Sequence, residues 1–180
     1  MPTHRSIILY IAMSLDGYIA GPNDDLTFLD AVQVEGEDYG YTQFYDTVDT
    51  VIMGRKTYDV VKGLGVPQPH AGKETYILTR TPKPSEENVH FYTGSIVELI
   101  AQLKSTEGKN VFIDGGSQTV HRLLTAHLID ELVVSVIPVL LGKGIPLFIE
   151  GRPLARLKLQ NSKAYPTGLV QLHYQVLENA

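Results

Sequence analysis

The chain has 180 residues, 43% hydrophobic and 19% charged, which is the composition of one globular domain and not of a disordered or membrane-spanning chain. Fifteen basic residues against twenty acidic ones give a net charge of −5, without the basic stripe expected of a nucleic-acid binder. Cysteine is absent, which excludes disulfides, thiolate metal sites and cysteine nucleophiles and fits a reducing, cytoplasmic location.

In chain order, His4 and Arg5 precede Ile7–Met13, a run almost wholly apolar or β-branched. It is too short to span a membrane and has no cleavage site, so it reads as a first strand buried on both faces. Asp16-Gly17 and Gly21-Pro22-Asn23-Asp24 are turn sequences on either side of Tyr18-Ile19-Ala20, with Asp24 and Asp25 expected in solvent. Glu35–Thr47 is expected to be helical, because Tyr41, Phe44, Tyr45 and Val48 recur at three- and four-residue spacing; Gly40 weakens its start. Val51–Gly54 is a short buried strand, and a helix over Arg55–Val61 opens directly after it. Gly63–Gly72, with Pro67 and Pro69, is a loop. Glu74–Thr79 and Val89–Tyr92 are strands. Ser95–Ser105 is an amphipathic helix with Ile96, Leu99, Ile100 and Leu103 on one face and a Ser95/Glu98 capping box.

Val111–Ile113 is a buried strand followed by a helix over Gln118–Ala126. Leu132–Leu140 is a longer strand, apolar on both faces, hence either central or part of a dimer contact. Leu157–Ala164 and Gly168–Leu177 form a long antiparallel hairpin, in whose second arm Val170, Leu172, Tyr174 and Val176 alternate with Gln171, His173 and Gln175. Strand–helix alternation ending in a hairpin predicts an α/β fold. A mostly parallel central sheet carries a C-terminal antiparallel hairpin, with helices on both faces, in a single domain over residues 1–180.

Ligands of such sheets gather outside the carboxyl ends of the strands. Three of those ends carry unusual chemistry. At Gly54-Arg55-Lys56-Thr57 the free amides of a helix start, a hydroxyl and two cations suit a phosphate, or else Arg55 and Lys56 are solvated charges beside a tight turn. Thr79 and Arg80 could meet a ribose or a 2′-phosphate, or belong to an ordinary polar loop. At Asp114-Gly115-Gly116-Ser117 two glycines let backbone approach a ligand, or make a tight connection with Ser117 as helix N-cap. Neither a G-x-G-x-x-G fingerprint nor a Walker loop is present, since Gly144 follows Gly142-Lys143 where Ser or Thr is required. Neither H-E-x-x-H nor G-x-S-x-G occurs, so no metal site or serine nucleophile is expected.

As an ordered set, Ile11–Ala20, Val51–Tyr58, Ile77–Arg80, Val111–Ser117 and Pro138–Gly144 resemble the dihydrofolate reductase superfamily, and within it the branch of the riboflavin-biosynthesis reductase domain. The resemblance implies a three-layer dihydrofolate reductase-like fold and an NADPH-dependent reductase acting on a C=N or C=O of a pterin-like or aminopyrimidine-like small molecule. A non-catalytic NADPH or flavin-nucleotide binder of the same fold is the alternative. By the resemblance, Gly54, Arg55, Lys56 and Thr57 hold the adenosine side and its phosphates, and Thr79 and Arg80 the adenine ribose and 2′-phosphate. It also places Gly115 and Gly116, joined by a cis peptide and followed by Ser117, against the pyrophosphate, with Ala12 and Ile19 flanking the nicotinamide. Two groups of cations favour NADPH over NADH, and Asp16–Asp25 is the natural lid. Folate-reducing members grip the pterin with an acidic residue, which the spacing matches to Asp38; Asp38 also sits where an N-cap belongs, with Glu35 and Glu37 as near alternatives. The chain lacks the lid tryptophan of the folate-reducing pattern and the deaminase domain often fused to the riboflavin reductase, so the substrate is left open. The family often dimerises, which makes a homodimer an open expectation.

Overall fold

Short β-branched runs alternate with amphipathic segments, and the chain folds accordingly as strands and covering helices. In the computed structural model, residues 5–66 and 68–177 are described; His4 and Pro67, which figure in the readings above, lie outside the described residues. The strands are β1 (Ile7–Ser14), β2 (Tyr18–Ala20), β3 (Val48–Gly54), β4 (Glu74–Leu78), β5 (Val89–Tyr92), β6 (Asn110–Gly115), β7 (Glu131–Ile137), β8 (Ile145–Pro146), β9 (Arg156–Ala164) and β10 (Val170–Leu177). The α-helices are α1 (Tyr41–Tyr45), α2 (Arg55–Gly63), α3 (Ile96–Ser105) and α4 (Ser117–Thr125), and short 3-10 turns cover Pro22–Asp24 and Thr27–Val32.

Eight strands form one sheet in the order β5-β4-β3-β6-β1-β7-β10-β9. The first six are parallel; β10 runs antiparallel to β7, and β9 antiparallel to β10. The carboxyl ends Tyr92, Leu78, Gly54, Gly115, Ser14 and Ile137 therefore share one edge of the sheet.

The period-two alternation of each strand divides its side chains between two faces. On one face Ile7, Leu9, Ile52, Val111, Ile113, Leu132 and Val134 pack with Leu99, Ile100 and Leu103 of α3 and Val120, Leu123 and Leu124 of α4. The other face carries three smaller clusters. Met53, Tyr58, Ile77 and Val89 include α2; Val48, Val51 and Phe112 meet Phe44 and Tyr45 of α1; Phe28, Val32, Ile137, Tyr165 and Leu169 include the second 3-10 turn. The fold is three-layered α/β with helices on both faces.

Several local expectations change. The helix expected over Glu35–Thr47 shrinks to α1, because Gly36, Tyr39 and Gly40 all have positive φ (80°, 56° and 80°), which a right-handed helix cannot contain. β7 stops at Ile137, just before Pro138, not at Leu140; it is an interior strand between β1 and β10, with Leu132 and Val134 packed in the α3–α4 cluster and Ile137 in the cluster of Phe28. Ser95 is the N-cap of α3, but its hydroxyl makes no capping bond, so the capping box is not formed. Tyr18–Ala20 pairs with β8 as a second, two-stranded sheet that the turn-rich sequence did not announce. In β10, Gln171 ties the hairpin to the sheet: its Nε2 donates to Tyr10 Oη, the Tyr39 carbonyl and Ser135 Oγ at 3.1–3.2 Å.

Candidate functional site

The carboxyl-terminal edge is built around bare backbone. β3 and β6 are neighbours, with Met53 opposite Gly115, and each runs straight into a helix, α2 after Gly54 and α4 after Gly116. The Gly115–Gly116 peptide is cis. A Cβ on Gly116 would lie 2.9 Å from Thr57 Oγ1, and one on Gly54 3.1 Å from Thr119 Oγ1, so side chains at these positions would fill the space between the two helix starts. Two sets of free amides and two helix-dipole ends thus converge, an arrangement that attracts an anion.

Two of the three cations expected here, Arg55 and Lys56, are partnered within the chain. Arg55 Nε donates to both carboxylate oxygens of Asp59, at 2.8 and 2.9 Å, and its guanidinium lies 5.6 Å from the centre of the Phe91 ring. Lys56 Nζ pairs with Asp24 at 2.8 Å, which corrects the reading of Asp24 as merely solvated. Asp25 likewise has a local partner, accepting from the Thr27 amide and hydroxyl at 3.0 and 3.1 Å. Arg80 is exposed and forms no ion pair among the described residues. Thr79 Oγ1 accepts the Thr81 amide at 3.1 Å and folds the chain back just after β4. Ser117 is not the N-cap of α4: Gly116 takes that place, and the Ser117 hydroxyl donates to the Pro146 carbonyl, tying α4 to β8.

β6 accompanies β1 only as far as Leu9 opposite Ile113, whereas β7 follows β1 to Ser14. Beyond Leu9, β1 runs on past its pairing with β6 and carries Ala12. Ala12 packs in the cluster of Phe28 and Ile137; Ile19 packs with Ile11 and Met13 in the cluster that holds α3 and α4. The two residues therefore stand on opposite sides of β1. The proposed lid is anchored at its base. Asp16 Oδ1 accepts from the Ser14 hydroxyl at 2.6 Å and the Leu141 amide at 3.1 Å, and Oδ2 accepts from the Gly142 amide at 2.7 Å. These bonds, the Ser14 hydroxyl first, hold the Asp16 carboxyl below the usual carboxylate range.

A second group of polar side chains lies on the α1 face of the same edge. Alternation along β6 puts Phe112 and Asp114 on one side. Asp114 Oδ2 lies 3.2 Å from His70 Nε2, and His70 Nδ1 lies 3.3 Å from Tyr45 Oη. Tyr41 stacks on Tyr45 with ring centres 5.4 Å apart. Burial first, and the Asp114 charge second, push both phenols up, so they stay protonated near neutral pH. Lys73 Nζ lies 4.4 Å from the centre of the Tyr45 ring and donates to the Tyr45 and Val48 carbonyls. Asp38 is a neighbour of this group, but its oxygens are occupied: they accept the amides of Gly40 at 2.9 Å and Thr42 at 3.0 Å. Bonds from Thr42 lead the causes that lower its pKa.

Sequence reasoning quoted Asp114 only as part of a turn and passed over His70, Tyr41 and Tyr45 as site residues. A signal existed for Asp114, which directly precedes the double glycine on a buried strand. None existed for His70, because only the path of the 63–73 loop brings it back to β6. Among the described residues, no helix is long and apolar enough to cross a membrane, and no group of three or more His, Asp or Glu could hold a metal.

The sequence model of the RibD C-terminal domain matches residues 5–171. The chain is 43% identical to the uncharacterized protein YwjB of Bacillus subtilis over 171 residues, covering 94% of this chain and 97% of that protein. A putative riboflavin biosynthesis protein from Shewanella sp. PV-4 superposes with a TM-score of 0.86 at 32% identity, covering 96% of this chain and 99% of that one. The dihydrofolate reductase of Enterococcus faecalis, solved with NADP(H), shares the fold, with a TM-score of 0.66 at 19% identity over 99% of this chain and 100% of its own. The chain belongs to the RibD C-terminal domain family.

Proposed function

We propose that the chain is an NADPH-dependent reductase of a small, flat, nitrogen-containing heterocycle. One observation carries the reading: the starts of α2 and α4 converge on Gly54 and the cis Gly115–Gly116 pair, in a cradle that a single Cβ would fill. Residues of this kind suit a pyrophosphate, because amides and dipole ends neutralise charge without side-chain bulk.

In this reading Gly54, Thr57, Gly115 and Gly116 hold the pyrophosphate, and Ser117 fixes the start of α4 through Pro146. Arg55, Lys56, Thr79 and Arg80 form the adenosine end; a phosphate there competes with Asp59 and Asp24 for Arg55 and Lys56. Ala12 and Ile19, on the two sides of the half-buried end of β1, border the nicotinamide. NADPH supplies a hydride when bound. The protein's part is to align the acceptor, keep water out with the Asp16–Asp25 segment, and offer a carboxylate to the heterocycle. That carboxylate is Asp114; Asp38, with both oxygens already bonded, orders the entry to α1.

Titration calorimetry and thermal shift with NADPH test the first half of this reading. Saturation at about a hundred times the dissociation constant adds about 2.7 kcal/mol of stability. Arg55→Ala is expected to weaken NADPH more than NADH, and equal losses would remove the 2′-phosphate contact. NADPH absorbance should then fall with dihydrofolate, dihydrobiopterin or a ribosylaminopyrimidine phosphate. Binding without turnover on any of them would leave a nucleotide binder, and no heat with NADPH would end the reading.

A further inference from the structure

Resting on the reductase reading above, we infer that His70 is the positioning residue of the substrate half: it holds Asp114 by one oxygen and leaves the other as a free acceptor for an N–H of the substrate. His70 comes from the 63–73 loop, far from β6 in sequence, yet its side chain is only 11% exposed. Its ring packs edge-on to Phe112, with centres 5.5 Å apart at 87°, and tilted over Tyr45 at 5.8 Å. The packing fixes the ring plane, and both nitrogens then find a partner: Nε2 meets Asp114 Oδ2 and Nδ1 meets the Tyr45 hydroxyl. Among the described residues Asp114 Oδ1 accepts no hydrogen bond, although the side chain is 24% exposed, immediately before the double glycine.

The proton positions follow from the partners. A carboxylate can only accept, so Nε2 carries a hydrogen and donates it to Asp114. Tyr45 keeps its phenolic proton and donates to Nδ1 of the neutral ring. The charged and titratable groups facing this ring are Tyr41 and Tyr45 from α1, Asp114 from β6, and Lys73, whose ammonium is committed to the Tyr45 and Val48 carbonyls. This arrangement suits a flat heterocycle presenting an N–H, held by Oδ1 beside the rings of Tyr41 and Tyr45.

The test uses the full chain without cofactor. Side-chain 15N NMR of wild-type protein at pH 8 is expected to show His70 as the Nε2–H tautomer, and Asp114→Ala to return it toward a mixture. A wild-type Nδ1–H tautomer overturns the proposal. As a probe, 2-aminopyrimidine is expected to shift the His70 resonances, with an affinity that falls about tenfold in Asp114→Ala and His70→Ala, the size of one hydrogen bond to a charged group. His70→Gln keeps a donor for Asp114 and an acceptor for Tyr45. It is expected to retain the affinity, and a loss as large as that of His70→Ala overturns the positioning role. Equal probe affinity in wild type, His70→Ala and Asp114→Ala, or no probe binding to wild type, also overturns the proposal. Should His70→Ala fail to fold, His70→Gln and the wild-type tautomer decide. Failure of NADPH to bind would end the reductase reading and leave the tautomer result standing.

Discussion

The two ends of the parallel strands use polar groups in opposite ways. At the amino end, Arg5 is 4% exposed, and its guanidinium is fully engaged. Nε donates to the Lys109 carbonyl at 2.7 Å, Nη1 to the Leu103 carbonyl and Thr106 Oγ1 at 3.3 and 3.2 Å, and Nη2 to Thr50 Oγ1 at 2.7 Å and to Asp49. One side chain thereby fastens the start of β1 to β3, to the end of α3 and to the residue before β6. A cavity of about 300 Å³ beside it is lined by Asp49, Glu74 and Glu107, yet the buried charge itself has no bonding capacity left. At the carboxyl end the backbone is bare at Gly54, Gly115 and Gly116, and among the described residues Asp114 has one oxygen without a hydrogen bond. Saturated polar groups hold a fold together, while half-saturated ones around glycine leave bonds for a ligand to complete.

The largest effect expected from breaking this contrast is at Arg5. Arg5→Ala removes the donor to the Lys109 carbonyl and leaves Asp49 without its cation. Loss of one partner of a buried ion pair costs about 3–5 kcal/mol, and because Asp49 is 39% exposed and partly rehydrated the lower end is expected. Urea unfolding measures the loss, and NADPH calorimetry on the folded fraction should be unchanged. A folded Arg5→Ala protein that no longer binds NADPH would show that the two ends are not separable.

Next in size is Gly116→Val. The added side chain meets Thr57 Oγ1, and since Thr57 is β-branched its hydroxyl cannot simply swing away. The crowding is expected to cost about 1–3 kcal/mol, leaving the protein folded. NADPH affinity should drop by more than about tenfold, the equivalent of 1.4 kcal/mol. Undiminished affinity in a folded variant would take the double glycine out of the cofactor site.

The strand ends were legible in the sequence for the reason that makes them open. Gly54 and Gly115-Gly116 stand between apolar strand runs and amphipathic helices, and that local pattern survives folding. The segments that close the site were not. Tyr39 and Gly40 adopt positive φ and cut short a helix whose spacing looked continuous, because periodicity reports which side chains are apolar and not where the backbone turns. His70 reaches the site from a loop, over 44 residues to Asp114, and such a pairing leaves no local trace. Arg55 and Lys56 were found as residues, but their partners were not, since Asp24 meets Lys56 only in the folded chain.

The smallest effect separates Asp38 from Asp114, two carboxylates on the same face of the site. Asp38 already has local work: each oxygen accepts one amide, from Gly40 and from Thr42, and its pKa is lowered by its bonds to Thr42. A carboxyl depressed in the folded state stabilises the fold fully above its unfolded pKa, and that contribution is lost as pH falls through the folded value. The stability difference between wild type and Asp38→Asn, measured by urea melts, is therefore expected to be constant from neutral pH down to the ordinary carboxylate range and to shrink below it. Asp38→Asn should leave NADPH affinity unchanged, since the residue faces α1 and not the glycine cradle. If instead stability is unaltered at every pH while turnover collapses, Asp38 has bonding capacity that a substrate uses, and it belongs with Asp114 on the open side of the contrast.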